Sequence, residues 1–293
     1  MTRISVIIVS YNTRNILINC LRSVYSSTGD VEVEVFVVDN ASSDGTVDVI
    51  RREFPQCKVM ANNTNAGFSR ANNQAIRLCT GRYILLLNPD TVVEPDVFAK
   101  MVSFMDQQQD VGMASCRLVT EDGSLDLACR RAFPSLWDGF CRASGLGLWF
   151  PNSSLLARYN LTYLDEHETY QVDAINGAFM FARREAVEEV GFLDEDYFMY
   201  CEDLDWCFRF GKAGWKIVYY PEATTVHLKG QSGNPKSSAM IRELFKSTKL
   251  FYRKTSFAKI GPVHRASILI SLEVWRWVTL LKNALRANKR TRP

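Results

Sequence analysis

Short apolar segments alternate with amphipathic ones over the first 90 residues, and this order constrains the fold more than any other feature. A β-branched run at 4–10 predicts a buried strand, and the segment after Thr13 has apolar residues at helical spacing. The same pattern predicts strands at 31–38, 58–61 and 83–87 and helices at 46–54 and 71–79. Strands that alternate with helices predict a mostly parallel sheet with helices on both faces. The segment 118–173 is irregular and rich in turn residues.

Polar residues follow each of the four predicted strands. The four clusters are Ser10-Tyr11-Asn12, the segment 39–46, the group Asn62, Asn65, Gly67 and Arg70, and Asn88-Pro89-Asp90. Ligands of open α/β sheets bind beyond the carboxyl ends of the strands, which is where these clusters stand. Turn residues are common at any strand end. Four clusters at one edge, two with an acid directly after a buried strand, favour a binding site.

Three carboxylates stand close together at Glu202, Asp203 and Asp205, between an apolar segment at 198–201 and a predicted helix. Acids in the first turn of a helix are stabilised by its dipole and need no further role. Three carboxylates beside an apolar segment are costly unless they are paired or used. The cluster is therefore the strongest candidate for general-base chemistry.

Taken in order, these segments resemble family-2 inverting glycosyltransferases of the GT-A fold, and within them the bacterial rhamnosyltransferase-type branch. The matching segments are 9–12, 38–46, 65–68, 87–90, 176–178 and 200–205. The resemblance covers roughly residues 3–233 and implies a GT-A-like domain, with a nucleotide-sugar-binding half at 1–95 and an acceptor-binding half at 96–233. It implies transfer of a sugar, with rhamnose the first candidate, from a nucleoside-diphosphate sugar to a hydroxyl. The acceptor would be a lipid-linked or polymeric glycan in surface polysaccharide biosynthesis.

The resemblance also assigns the donor site. The residues it assigns to the nucleotide-sugar are Ser10, Tyr11, Asn12, Asp39, Asn65, Gly67, Arg70, Asn88 and Asp90. Asp39 would accept hydrogen bonds from the nucleobase or ribose. Asn88-Pro89-Asp90 occupies the place of the family's Asp-x-Asp motif, which coordinates a divalent cation, Mg²⁺ or Mn²⁺, that bridges the two phosphates. Asn88 replaces the first acid, so Asp90 is the carboxylate ligand there, and His227 is a second candidate ligand.

Asp203 matches the carboxylate that serves as base in the family, with Glu202 and Asp205 orienting it or the acceptor. Inverting transfer needs one carboxylate to take the proton of the attacking hydroxyl, and no covalent enzyme intermediate forms. The candidates for acceptor binding are Asn176, Gly177, Arg130 and Arg131. The two arginines either contact the diphosphate of a lipid-linked acceptor or are simply solvated.

The charge of the chain is divided between two segments. Residues 229–293 hold 15 lysines and arginines and two acids, whereas the first 228 residues hold 20 basic and 30 acidic residues. A boundary near residue 230 follows, with a basic helical tail at 234–293. We predict helices at 240–254 and 263–286. The second has a polar stripe at Arg276, Thr279, Asn283, Arg286 and Arg290 and an apolar stripe at Ile270, Val274, Trp277, Leu281 and Leu285.

A basic amphipathic helix that carries Trp is typical of an element lying on an anionic membrane surface. The alternative is that the tail packs on the domain or forms a homo-oligomer interface. No recognition motif accompanies the charge, so nucleic acid is not expected as a partner. The chain has no apolar run of 18 residues and no basic leader, and its eight cysteines form no C-x-x-C pair. We therefore expect reduced thiols and a cytoplasmic location, peripheral on the inner face of the membrane.

Other classes fit the sequence less well. A dehydrogenase or methyltransferase on such a sheet would place G-x-G-x-x-G after the first strand, where Ser10-Tyr11-Asn12 stands. A nucleotidyltransferase would need a loop rich in Gly, Arg and Lys at that point. A non-catalytic sugar-binding or scaffolding protein on the same fold remains the alternative to the enzyme.

Overall fold

The computed structural model describes residues 3–27, 29, 31–230 and 237–290, with side chains described up to residue 285. The strands are β1 (Arg3–Ser10), β2 (Glu32–Asp39), β3 (Lys58–Ala61), β4 (Tyr83–Leu87), β5 (Thr91–Val93), β6 (Val111–Val119), β7 (Tyr170–Gln171), β8 (Phe179–Arg183) and β9 (Lys216–His227). The helices are α1 (Arg14–Ser26), α2 (Thr46–Glu53), α3 (Phe68–Ile76), α4 (Val97–Gln107), α5 (Leu136–Ser144), α6 (Leu146–Trp149), α7 (Arg184–Val190), α8 (Glu202–Lys212), α9 (Ser238–Thr255) and α10 (Pro262–Arg290).

The strands form one sheet in the order β3-β2-β1-β4-β8-β6-β9-β5, with β7 also paired to β9. The pairs β1–β2, β1–β4, β2–β3 and β6–β9 are parallel. Strand β8 is antiparallel to β4 and β6, and β5 and β7 are antiparallel to β9. The predicted α/β class is confirmed. The antiparallel strand β8 lies between the parallel strands β3-β2-β1-β4 and the strand β6.

The element bounds follow the apolar pattern closely in the first half of the chain. Strands β3 and β4 begin and end where predicted, and every residue of β4 is buried. Helix α3 begins at Phe68, three residues before the predicted start, because Gly67 takes a left-handed φ of +81° and ends the preceding loop. The two predicted strand segments at 218–220 and 224–226 belong to a single strand, β9, whose register against β6 shifts between them.

The irregular segment at 118–173 holds two helices that its turn-rich composition does not predict. Helix α5 begins with a capping box in which Ser135 and Asp138 each bond the other's backbone N–H. Gly145, with φ +80°, ends α5 and precedes the short α6. The eight cysteines are all buried and free, as the absence of paired spacing predicts.

Helices α9 and α10 pack against each other and form a small second core. Its buried members are Ile241, Phe245, Tyr252, Ile268 and Leu272. Helix α9 also packs on the large core around the sheet, through the buried Phe251. The Phe251 ring lies 6.5 Å from the Phe208 ring of α8. Part of the tail therefore packs on the domain, which is what the alternative to a membrane-bound tail predicts. The boundary predicted at 233/234 lies outside the described residues.

The two stripes of α10 have different surroundings. Arg276 pairs with Glu273, and Asn283 donates to Ser238 of α9, so part of the polar stripe faces its neighbours. The side chains of Arg286 and Arg290 lie outside the described residues. The five apolar residues of the other stripe are each 57–63% exposed: Ile270, Val274, Trp277, Leu281 and Leu285. Among the described helices, none combines the length and hydropathy needed to cross a bilayer.

Candidate active site

The carboxyl ends of β1, β2 and β4 meet the start of β8 at one edge of the sheet. Because β8 runs antiparallel to β4 with Leu87 opposite Phe179, the residues just beyond these two also face each other. The backbone N–H of Asn88 donates to the carbonyl of Ala178 at 3.1 Å. The side chain of Asn176 accepts from Ala178 N–H and closes a tight turn. Two clusters predicted to belong to different halves of the site are thus in contact.

Asp39 ends β2 and is only 1% exposed. Its Oδ1 accepts from Ser42 N–H at 2.9 Å. Its Oδ2 is buried and finds no hydrogen-bond donor in the described part of the chain. A buried carboxylate oxygen without a donor is costly, so this atom suits a donor group on a ligand.

Two neighbouring loops are held together beside Asp39. Asn12, with a left-handed φ of 54°, accepts from Ser43 N–H, and its own N–H donates to Ser42 Oγ. The hydroxyl of Ser10 lies 3.0 Å from that of Thr13, so it is engaged within the protein. Tyr11, between these anchored residues, is 48% exposed and remains available to a ligand.

Asn40 fixes the loop at 62–67, a role that sequence reasoning missed. It is 2% exposed, and its amide donates to the Gly67 carbonyl at 3.1 Å. Its amide oxygen accepts from Asn62 at 3.0 Å. Asn65 accepts from Gly67 N–H at 2.9 Å. The side chains of Asn40, Asn62 and Asn65 therefore organise the loop itself. In the sequence, only the position of Asn40 next to Asp39 pointed to such a role.

Gly67 lies against the segment that leads to the acidic cluster. A Cβ at this position would stand 2.5 Å from the Phe198 carbonyl oxygen, and that oxygen accepts from Phe68 N–H at 2.8 Å. Arg70, one turn into α3, is mostly exposed, with Nε 3.6 Å from Glu195. It borders a cleft of 440 Å³ that Asn65 and Lys246 also line.

Asp90, His227 and Asp126 form a buried chain of side chains. Strand β5 is antiparallel to β9 with Thr91 opposite His227, which brings His227 Nε2 to 3.4 Å from Asp90 Oδ1. On its other side, His227 Nδ1 lies 2.8 Å from Asp126 Oδ2. Burial lowers the pKa of His227, but its hydrogen bonds with the two carboxylates outweigh this and raise the pKa to about 9. A carboxylate behind a histidine is the usual arrangement around metal-bound histidines.

The donor atoms of this chain fit the divalent cation that the resemblance implies. Asp90 offers a carboxylate oxygen, and His227 offers an imidazole nitrogen once a cation displaces the proton that its two carboxylate partners favour. Mn²⁺ or Mg²⁺ can take further oxygen ligands from phosphates and water. Over residues 3–230 and 237–290, apart from the undescribed positions, no three His, Cys, Asp or Glu side chains converge into a complete metal site. Asp126 was missed because it lies in the irregular segment. Its second partner is Lys229, at 2.7 Å.

Asp203 stands at the head of α8 and is 8% exposed. Its Oδ2 accepts from Arg131 at 2.6 Å and from Gly177 N–H at 3.4 Å, and its Oδ1 accepts from Leu204 N–H at 2.8 Å. The helix follows two consecutive non-glycine residues in the left-handed region, Tyr200 at φ 69° and Cys201 at φ 64°. The carboxylate is thus held from three sides, beside the turn that also contacts Asn88.

The two adjacent arginines have different surroundings. Arg131 is 8% exposed and donates to Asp203 and to the Ile175 carbonyl at 2.6 Å. Arg130 is 1% exposed and donates to two backbone carbonyls at 164–165. The guanidinium of Arg130 is thus engaged with a loop of its own chain, so this geometry gives no support to the prediction that Arg130 contacts the acceptor. Neither arginine is solvated, which was the alternative.

The other two acids of the cluster differ from Asp203. Glu202 is 6% exposed, and its Oε2 has no hydrogen-bond partner within the described residues. Burial, with the neighbouring Asp203, raises the pKa of Glu202 well above that of an ordinary carboxyl. Burial also raises the pKa of Asp205, whose partners are Arg209 at 2.8 Å and Tyr197 at 3.5 Å. The contact with Arg209 lies within α8, and the contact with Tyr197 reaches the segment before it. Neither partner is Asp203, so the expected orienting role of Asp205 toward the base finds no support.

A sheet edge that gathers carboxylates from two strand ends and from a helix start is suited to two tasks. One side can hold a nucleotide-sugar, and the other can activate a hydroxyl. The fold and site together define a nucleotide-sugar-dependent glycosyltransferase of the GT-A fold. The chain belongs to the glycosyltransferase-like family 2, whose family model matches residues 2–249. The predicted family and enzyme class are confirmed.

Two relatives come from the rhamnosyltransferase branch. The chain is 29% identical over 230 residues to N-acetylglucosaminyl-diphospho-decaprenol L-rhamnosyltransferase of Mycobacterium tuberculosis, covering 75% of this chain and 74% of the relative. It is 30% identical over 192 residues to the rhamnosyltransferase WbbL of Escherichia coli, covering 62% and 68%.

Solved structures share the fold. The mannosyltransferase PcManGT of Pyrobaculum calidifontis, in complex with GDP-Man and Mn²⁺, aligns with a TM-score of 0.60 at 19% identity, over 99% of this chain and 76% of that one. GalNAc-T7 with UDP, GalNAc and Mn²⁺ aligns with a TM-score of 0.57 at 17% identity, over 94% and 54%. At these identities the likeness supports the GT-A fold.

Proposed function

We propose that the enzyme transfers a sugar, with inversion, from a nucleoside-diphosphate sugar to a hydroxyl of a lipid-linked or polymeric glycan in surface polysaccharide biosynthesis. Rhamnose, carried on thymidine diphosphate, is the first candidate donor sugar, and hexoses follow. The names of the two rhamnosyltransferase relatives support the sugar, and the name of the Mycobacterium tuberculosis relative also supports the lipid-linked acceptor. The observation that carries the chemistry is the buried Asp203, fixed by Arg131 at the edge of the donor site.

Asp203 acts as the general base. As the acceptor oxygen bonds to the anomeric carbon, the bond from that carbon to the nucleoside diphosphate breaks, and the hydroxyl proton passes to the Asp203 carboxylate. The diphosphate leaves with the bonding electron pair. Arg131 is a positioning residue, because its charge-assisted hydrogen bond fixes the direction of the carboxylate. Gly177 permits close approach of the sugar, and Asn176 beside it lies within reach of a hydroxyl.

The donor nucleoside binds at the ends of β1 and β2. Asp39 Oδ2 accepts a hydrogen bond from the base or ribose, and Tyr11 packs beside the base. The loop that Asn40 holds, with Asn65 and Gly67, encloses the other side. Arg70, at the rim of the 440 Å³ cleft, contributes positive charge toward the diphosphate.

Asp90 and His227 would hold a divalent cation, with Asn88 beside them at the phosphates. When bound, the cation supplies positive charge that stabilises the leaving diphosphate. Asp126 fixes the imidazole so that Nε2 faces Asp90. With only two protein donors, the affinity for the cation would depend on the nucleotide, whose phosphate oxygens would supply further ligands.

We place the enzyme on the cytoplasmic face of the membrane as a peripheral protein, with anionic lipid as a partner and nucleic acid excluded. The exposed apolar stripe of α10 and the basic balance of residues 229–293 support this placement. A second copy of the chain on the same stripe is the alternative. Deleting α10 would expose the buried Phe245, so a deletion would disturb the fold as well as any membrane contact. The double substitution Trp277→Ser with Leu281→Ser changes only exposed side chains and therefore tests the membrane contact by itself. This variant keeps the basic residues and loses only apolar contact, so its weaker binding to anionic vesicles should persist at high salt, where the electrostatic attraction is screened.

Thermal shift and turnover together test the transferase. We expect one nucleoside-diphosphate sugar of a panel to raise the Tm, and to do so more strongly with Mn²⁺ or Mg²⁺. The same sugar should be transferred to a short polyprenyl-diphosphate acceptor. Binding without turnover for every donor would favour the non-catalytic sugar-binding alternative. Absence of any shift would refute the donor site.

A further inference from the structure

The segment 136–155, which carries α5 and α6, presents a group of large apolar side chains to solvent. We call this segment the apolar knob. Its exposed members are Leu136, Trp137, Phe140, Leu148, Trp149, Phe150 and Leu155, of which Trp149 is 81% and Leu148 77% exposed. Single exposed apolar residues are ordinary on protein surfaces, but seven within twenty residues mark an interaction surface.

The knob is a hydrogen-bonded unit rather than a loose loop. The Ser135 capping box begins α5, and Trp137 Nε1 donates to the Leu155 carbonyl at 3.0 Å. Gly147 lies so close to the returning chain that a Cβ would stand 2.9 Å from the Leu156 carbonyl oxygen. The Trp137 and Phe140 rings stack at 5.5 Å. The framework therefore holds apolar groups outward, at a cost in hydration that a partner would remove.

The knob carries little negative charge toward solvent. Its only acid is Asp138, which is 4% exposed and pairs with Arg158 at 2.5 Å. Arg142 supplies a positive charge on α5. The surface is therefore suited to an anionic partner.

The segment that carries the knob is in contact with α10. A Cβ at Gly139 of α5 would lie 3.8 Å from the Trp275 ring of α10, and that ring packs at 5.7 Å from Phe245 of α9. Val274, directly before Trp275, belongs to the exposed stripe of α10. Two helices from distant parts of the sequence, each with exposed apolar residues, thus meet at one contact.

The start of α5 is close in the chain to the residue that holds the proposed base. Arg131 bonds Asp203, and α5 is capped four residues later by Ser135. Four residues of fully extended chain span at most about 14 Å. The N-terminal end of α5 is therefore near the arginine that holds the proposed base.

We propose that the apolar knob is a second membrane contact, whose aromatic side chains enter the interface of an anionic bilayer beside α10. The two contacts set the acceptor side of the active site against the lipid head groups. The expected partner is a bilayer, because the patch is apolar, lacks exposed acids and adjoins the basic tail. The link to an acceptor embedded in that bilayer rests on the proposed function.

Vesicle co-sedimentation of the full chain tests the knob. We expect Trp149→Ser with Phe150→Ser to lower the partition coefficient on phosphatidylglycerol–phosphatidylcholine vesicles about tenfold or more. The matched control is Leu78→Ser, which removes a 55% exposed side chain outside the knob and α10 and should leave the partition coefficient unchanged. Thermal midpoints and nucleotide affinity should be equal in all three proteins.

Two results would overturn the inference. One is a knob variant that binds anionic vesicles as well as the parent does, or a parent that ignores them. The other is a parent dimer in sedimentation equilibrium that becomes monomeric in the knob variant, since the occupant would then be a second copy. The vesicle assay contains neither donor nor acceptor. Turnover on a water-soluble acceptor therefore tests the transferase separately, and either proposal can fail alone.

Discussion

Replacing Asp203 by Asn should damage catalysis and stability through the same atoms. The amide is no base, so we expect turnover to fall by a factor on the order of 10²–10⁴ while donor binding is retained. The carboxylate accepts from Arg131 and Gly177 on one oxygen and from Leu204 N–H on the other. Whichever way the amide turns, its NH₂ group faces one of these donors.

The size of the stability effect follows from the burial of the ion pair. The side chains of Arg131 and Asp203 are 10% and 11% exposed, so the substitution leaves a buried guanidinium without its counter-charge. Breaking a buried pair from one side costs about 3–5 kcal/mol. For a chain of this size, that lowers the Tm by about 6–10 °C.

A double-variant cycle separates the two effects. Adding Arg131→Met to Asp203→Asn removes the stranded charge, so we expect at least half of the lost stability to return while turnover stays low. Asp205→Asn is the matched control two residues along the helix, and its turnover should stay within about tenfold of the parent, because its partner is Arg209. Near-normal turnover of Asp203→Asn would refute the base assignment. A double variant no more stable than the single one would refute the pairing argument.

Three further predictions concern the donor site and the buried acids. Asp90→Ala should weaken nucleoside-diphosphate binding more than nucleoside binding in calorimetry, with His227→Ala milder, and activity unaffected by EDTA would contradict this. Gly67→Ala should unfold at lower denaturant concentration than Gly123→Ala, since both have φ near +80° but only the first meets a backbone oxygen at 2.5 Å; equal losses would remove the close contact as the cause. The pKa of Glu202 is higher in the folded chain than the ordinary 4.5 of the unfolded chain. As the pH rises above 4.5, the unfolded chain therefore loses this proton while the folded chain keeps it, and the free energy of unfolding falls. Glu202→Gln should therefore gain stability over the parent at pH 8 but not at pH 4, and a constant difference would argue against a raised pKa.

Local patterns were sufficient for the parallel half of the sheet and for the residues at its strand ends. Buried β-branched runs such as β4 have one reasonable interpretation, and the carboxyl ends of parallel strands must share an edge. The acidic cluster was equally visible, because three charges beside an apolar segment need an explanation. Helix α10 followed from its stripes, although only the structure shows which stripe remains exposed.

Contacts between distant segments could not be predicted in this way. Asp126 reaches His227 across 101 positions, and Arg131 reaches Asp203 across 72. Arg130 and Arg131 are adjacent residues of the same type, so the sequence does not distinguish them. In the structure, Arg130 donates to loop carbonyls and Arg131 donates to the proposed base. Asn40 likewise organises its loop through side-chain bonds whose partners no periodicity specifies.

The contact of Gly67 with the Phe198 carbonyl has a consequence for engineering. It joins the loop at 62–67, which we propose encloses the nucleotide, to the segment that leads from Phe198 to the left-handed residues Tyr200 and Cys201 before the proposed base. The pairing of strand β4 with strand β8 also joins the segment 1–95 to the segment 96–233. A chimera that exchanged residues 1–95 for those of another transferase would therefore import a loop shaped for a different turn. Donor preference in this scaffold is better altered by single side chains at the sheet edge than by swapping halves.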